Sequence, residues 1–148
     1  MSLLGDKLGV LLFQLPPGLK SDGELLSSFL EQLPDTTRYA FEFRNSDWFQ
    51  LDIYHLLEKH NCAFCIYEIE GLMSPMETTA DFVYVRLHGP GNKYQGSYSE
   101  ENLMEWAQRC KKWSTEKDVF VYFDNDEKGY AAFNAMRLKE LVGENLNT

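Results

Sequence analysis

The sequence predicts a parallel α/β fold, and three segments carry that prediction. Arg38-Tyr-Ala-Phe-Glu-Phe-Arg44, Asp81-Phe-Val-Tyr-Val-Arg-Leu-His-Gly89 and Asp118-Val-Phe-Val-Tyr-Phe-Asp-Asn125 are runs of β-branched and aromatic residues. Along each run the alternating residues turn polar or charged only at their last positions, and each run is followed by a helical pattern. Strands alternating with helices make βα units, whose strands pair in parallel and are buried on both faces. Ligands of such sheets bind beyond the carboxyl ends of the strands, which is where the charges here accumulate.

The remaining elements follow in order. Leu8-Gly-Val-Leu-Leu-Phe-Gln-Leu15 is a short apolar run stopped by Pro16-Pro17, as a buried strand ending in a turn requires. Ser21-Asp-Gly-Glu24 matches a capping box, and Leu25, Leu26, Phe29, Leu30 and Leu33 form an apolar stripe behind it. Strand 38–44 leads into a helix expected to open at Ser46 and close near His60-Asn61. Strand 62–68 precedes an irregular stretch with Gly71 and Pro75. Strand 82–88 enters the loop Gly89-Pro-Gly-Asn-Lys-Tyr-Gln-Gly96, and a helix from about residue 99 turns Leu103, Met104, Trp106, Ala107 and Cys110 inward. Strand 118–124 and a helix at 129–141 complete a single domain over residues 1–148. Five parallel strands suit an open doubly wound sheet or part of an eight-stranded βα barrel.

Composition narrows the function. A formal charge of −9 opposes a general nucleic-acid binder and docking on anionic membrane. No apolar run approaches the ~20 residues that span a bilayer. Met1-Ser-Leu-Leu-Gly-Asp6 lacks the basic and long apolar parts of a secretory leader, so a cytoplasmic location is expected. The three cysteines agree. Cys62 and Cys65 are spaced as C-x-x-C, but on a strand they face opposite sides about 10 Å apart, too far for a disulfide. Buried, inert thiols are expected.

Counting by twos along the strands assigns Gln14, Glu42, Arg44, Glu68, Arg86, His88 and Asp124 to one face at one end. Such a set is expected to line a wet mouth. His88 is the best acid–base candidate, because an imidazole titrates near neutral pH. Glu42 is either a general acid or base beside an anion-binding Arg44, or half of a structural ion pair. Arg86 repeats the choice beside His88. Asp124-Asn-Asp-Glu-Lys-Gly129 imitates the start of an EF-hand, but Lys128 and Ala135 stand where calcium needs oxygen ligands. No tight metal-ligand spacing links Glu42, Glu68, His88 and Asp124, and no cofactor is specified.

Leu12-Phe-Gln-Leu-Pro-Pro17, Phe41-Glu-Phe-Arg44 with Trp48, Tyr84-Val-Arg-Leu-His-Gly89 with Tyr94 and Tyr98, and Tyr122-Phe-Asp-Asn-Asp126 with Asn134-Ala135 stand in order along the chain. Together they resemble the YecE-like family, also called domain of unknown function 72. The resemblance implies a TIM-barrel-like fold of which this chain supplies the C-terminal portion, about five strands and four helices, without the first three βα units. It implies no reaction. One departure is that Glu68 stands where the family usually shows Asp. On the barrel reading the loop 89–96 follows the seventh strand, a frequent phosphate position, though it lacks a P-loop ending. A lid bearing Lys93, Tyr94 and Tyr98 is the other reading.

The expected function is acid–base chemistry on a small anionic or polyhydroxylated ligand, with Glu42 and His88 handling protons. Gln14, Arg44, Arg86, Tyr94, Asp124 and Asn125 would bind the ligand. The alternative is a non-catalytic ligand-binding or interaction protein whose polar mouth is an ion-pair network. An incomplete barrel leaves open sheet edges, so self-association is expected as well.

Overall fold

A computed structural model describes residues 7–92 and 94–143. The N-terminal hexapeptide and Lys93 of the glycine loop, both used above, lie outside the described residues. The described residues form a parallel α/β structure with four α-helices. It divides into two compact units, residues 1–65 with 75–81 and residues 66–74 with 82–148.

The first unit is built from β1 (Val10–Leu15), α1 (Gly23–Leu30), β2 (Arg38–Phe43), α2 (Leu51–Lys59) and the start of β3 (Ala63–Ile69). β1 pairs with β2 in parallel from Val10↔Arg38 to Leu15↔Phe43, and β2 pairs with β3 at Ala40↔Ala63. One sheet face carries an aromatic wall: Phe13 and Phe41 lie 5.2 Å apart, Phe29 of α1 meets Phe13 edge-on at 5.1 Å, and Phe43 stacks on Trp48 at 4.9 Å. Leu26 and Leu30 are buried beneath α1, whereas Leu25 and Phe29 of the expected stripe remain exposed. α1 is capped by Asp22 rather than by Ser21: its Oδ1 accepts from Leu25 N at 2.9 Å, which places the carboxylate at the positive end of the helix.

The helix expected from Ser46 starts five residues later. Asn45 accepts from Asp47 N and caps a single 3₁₀ turn, Ser46–Trp48. Trp48 is then buried, with Nε1 donating to Leu19 O at 2.9 Å. Fixing that indole takes Phe49 and Gln50 out of helical conformation, so α2 begins at Leu51.

The second unit holds the end of β3, β4 (Leu72–Met73), β5 (Phe82–Leu87), α3 (Glu100–Trp113), β6 (Asp118–Phe123) and α4 (Tyr130–Gly143). β5 and β6 pair in parallel from Phe82↔Asp118 to Leu87↔Phe123. The stretch expected to be irregular contains an antiparallel hairpin, Ile69↔Leu72. Its two-residue turn, Glu70-Gly71, has φ of 53° and 72°, the paired positive values of a type I′ turn. Such turns favour Asn or Asp before Gly, and Glu70 disguises this one. α3 is capped by Ser99 and buries Leu103, Trp106, Ala107 and Cys110, while Met104, expected inward, is 43% exposed. All three cysteines are free and buried, and the strand spacing argued this for Cys62 and Cys65.

Candidate functional site

The parallel register of β1 and β2 sets Gln14 opposite Glu42. Glu42 is wholly buried, and its Oε1 pairs with Arg44 Nε, whose side chain is only 10% exposed. Cys65 Sγ approaches the other oxygen, Oε2, at 3.5 Å. Gln14 is exposed. This first cluster is a desolvated carboxylate held between a guanidinium and a thiol, a state that only close pairing makes tolerable. A cleft of this unit, about 570 Å³ and lined by Asp35–Tyr39 and Lys59–Cys62, opens at the opposite strand ends. It takes no part in the Glu42 cluster.

Alternation along β3 corrects one assignment. The β2–β3 register brings Cys65 opposite Glu42, so on this strand the odd residues take that side and Glu68 takes the other. Counting by twos from Glu68 picked the wrong phase, because nothing in a buried strand marks which parity its neighbour meets. Glu68 instead reaches α3, where Trp106 Nε1 donates to its Oε2 at 3.4 Å. Burial raises its carboxyl above the usual range, partly countered by Trp106 and by the Arg109 guanidinium, which lies over the Trp106 ring.

The second cluster forms where β5 and β6 end. Continuing their register past Leu87↔Phe123 sets His88 opposite Asp124, and Asp124 N donates to Leu87 O at 2.8 Å. His88 N donates to Glu68 O at 2.8 Å. The His88 ring is fully buried, with Nδ1 3.3 Å from Asp124 Oδ2. Arg86 NH2 pairs with that same oxygen, while Asp124 stays 32% exposed. Tyr67 and Tyr94 meet the imidazole edge-on at 6.4 and 5.4 Å.

The glycine loop is pinned over this cluster. Gly89 N donates to Tyr98 Oη at 3.1 Å and Tyr94 N to His88 O at 2.7 Å. Gly89 has φ +109°, and a Cβ there would lie 2.4 Å from Gln95 O. Asn125, expected to contact ligand, is buried and tethers the loop: its Nδ2 donates to Gly96 O and to Asn134 Oδ1, both at 2.8 Å. Asn134 in turn accepts from Tyr98 N. Of the expected residues, then, Arg86, His88, Tyr94 and Asp124 come together, and Glu42 pairs with Arg44. The contribution of Tyr67 went unread because it depends on the β3 phase that Glu68 concealed. Among the described residues no group of three His, Cys, Asp or Glu side chains is placed to hold a metal ion. No helix among them is long and apolar enough to cross a membrane.

Parallel strands with acid–base groups at their carboxyl ends define an α/β protein of the TIM-barrel-like kind. Comparison with known proteins gives the family. Residues 1–148 match the model described as protein of unknown function DUF72, and the chain belongs to that family. It is 27% identical over 169 residues to the UPF0759 protein YunF of Bacillus subtilis (strain 168), covering 95% of this chain and 60% of that protein. The crystal structure of a DUF72 family protein from Thermotoga maritima MSB8 is similar, with a TM-score of 0.84 and 28% identity over 93% of this chain and 59% of that one. A DUF72 family protein from Enterococcus faecalis V583 shares the fold at 19% identity, with a TM-score of 0.79 over 93% of this chain and 59% of that one. The chain thus spans about three fifths of the length of the relatives it matches.

Proposed function

We propose that the second unit carries an acid–base centre for a small anionic or polyhydroxylated ligand. One observation carries this reading: His88 Nδ1 lies 3.3 Å from an Asp124 carboxylate that Arg86 also holds, at the carboxyl ends of adjacent parallel strands. His88 would move the proton, Asp124 would orient the imidazole, and Arg86 and Tyr94 would contact the ligand. Turnover of a mixed panel of phosphate esters, carboxylates and polyols, followed by NMR, tests the reading in the wild type, His88→Gln and Asp124→Asn. Full turnover in a folded His88→Gln variant would overturn it.

A second reading has its own support in the first unit. There Glu42 was expected to handle protons, with Gln14 and Arg44 orienting the ligand. Glu42 is 0% exposed and closed off by Arg44 and Cys65, which favours a structural ion pair at that position. The wider proposal takes residues 1–148 as one domain, the C-terminal portion of a YecE-like barrel, located in the cytoplasm. The free thiols support that location. It also takes the half-exposed strands β1 and β6 as edges through which copies associate. Native mass spectrometry reads both assembly and retained ligand; a bare monomer at high concentration would refute association.

A further inference from the structure

The side of β5 and β6 that carries His88 also carries a tyrosine pair. Tyr84 lies two positions before Arg86 on β5, and Tyr122 lies opposite Arg86 on β6. Their rings stack with centroids 5.0 Å apart and planes inclined by 30°. Tyr84 is buried, whereas Tyr122 is 44% exposed. An aromatic ring backed by a buried ring presents a rigid face at little further entropic loss on binding. That face stands directly beside a guanidinium, and His88 follows Arg86 by two residues, about 7 Å along the strand.

We propose that Tyr122 is the platform for the ring of a ring-bearing phosphate, with the ring packed on Tyr122 and the phosphate at Arg86. This rests on the acid–base reading of the same cluster and names its ligand class. An aromatic platform takes the π-face of a nucleobase and the C–H face of a pyranose alike, so the shared chemistry of ring and phosphate is met by a hexose phosphate and by a nucleoside monophosphate.

The test is calorimetric titration of the full chain with four probes: glucose 6-phosphate, AMP, glycerol 3-phosphate and inorganic phosphate. A ring-bearing probe is expected to bind at least about tenfold more tightly than the two ringless ones. Tyr122→Ala is expected to erase that preference and Tyr122→Phe to keep it, because a phenyl ring stacks as well. Which ring-bearing probe binds tells a sugar from a nucleotide. Equal binding of all four, no binding, or an unchanged preference in Tyr122→Ala overturns the platform. His88→Gln separates this proposal from the one beneath it: ring preference retained with turnover lost supports both. Turnover that depends on His88 without ring preference sinks the platform alone. Ring preference with turnover independent of His88 sinks the acid–base reading alone.

Discussion

Each unit holds one buried charge cluster, and the two differ in their access to water. In the first, Glu42 is 0% and Arg44 10% exposed, and the carboxylate meets Arg44 and Cys65. In the second, Arg86 is 17% and Asp124 32% exposed, so the pair keeps one side in solvent. A sealed ion pair is held by complementarity and fails if either member leaves. A pair with one wet side can release or exchange a partner. The solvent contact of Arg86 and Asp124 is the ground on which the acid–base centre is proposed beside the fully buried His88, and the closure of the Glu42 pair is the ground for proposing a structural role there.

The contrast breaks most readily with matched substitutions. Arg44→Met should destabilise by about 3–5 kcal/mol, since it strips the guanidinium from a fully buried carboxylate. Arg86→Met should lower stability by only about 1 kcal/mol, because water reaches Asp124. Urea denaturation measures both. Equal losses would mean the two clusters are built alike, and the assignment of chemistry to the second would fall.

The next largest effect tests how firmly the second cluster is covered. Gly89→Ala meets both a positive φ and a Cβ contact of 2.4 Å to the Gln95 backbone oxygen. A loss of about 2–3 kcal/mol is expected, with sharper hydrogen exchange at residues 94–98 than at residues 40–44. Uniform exchange would show that the loop is not a separate cover over His88.

A third effect should be shared by the units. Burial pushes Cys62 of the first and Cys110 of the second up to about 11. Both are thus raised above the thiol's usual 9, so the stability contributed by keeping them neutral is whole below pH 9. It is lost as pH rises through about 11. The folded chain should therefore react slowly with a thiol reagent at pH 8 and unfold at progressively lower urea between pH 9 and 11. Rapid labelling of one cysteine alone would show that its unit opens independently.

Much of this was legible in the residues. β-branched and aromatic runs located β2, β5 and β6 to within a residue, because such strands are buried on both faces and admit few other patterns. His88 and Asp124 were legible as strand-end polarity. What stayed hidden was relational. The register of β3 against β2 decides that Cys65, not Glu68, shares the side of Glu42, and a one-residue slip reverses every side chain. The hairpin at Glu70-Gly71 lacked the expected turn residues, and the role of Asn125 as a loop tether depends on Asn134, nine positions away on α4.

The smallest effects separate two carboxylates within the second unit. Burial raises the Glu68 carboxyl, so its folded form binds a proton more readily than the unfolded chain does. Its contribution is favourable in acid and declines as pH rises from the ordinary carboxylate range through its folded value. Glu68→Gln keeps an acceptor for Trp106 Nε1 and removes the buried charge, so it should raise the melting temperature slightly at pH 7 and leave it unchanged near pH 4. Glu100 has the opposite sign. Hydrogen bonds from Arg137 at 2.6 and 3.1 Å lower its carboxyl, so its contribution is present at neutral pH and lost as pH falls below the usual carboxylate value. Glu100→Gln should therefore cost a little stability at pH 7 and nothing in acid. Opposite slopes for the two variants, read by thermal melts from pH 4 to 7, would confirm that Glu68 is turned into the α3 interface. Parallel slopes would return Glu68 to the solvated side of β3, and the register that excludes it from the His88 cluster would have to be redrawn.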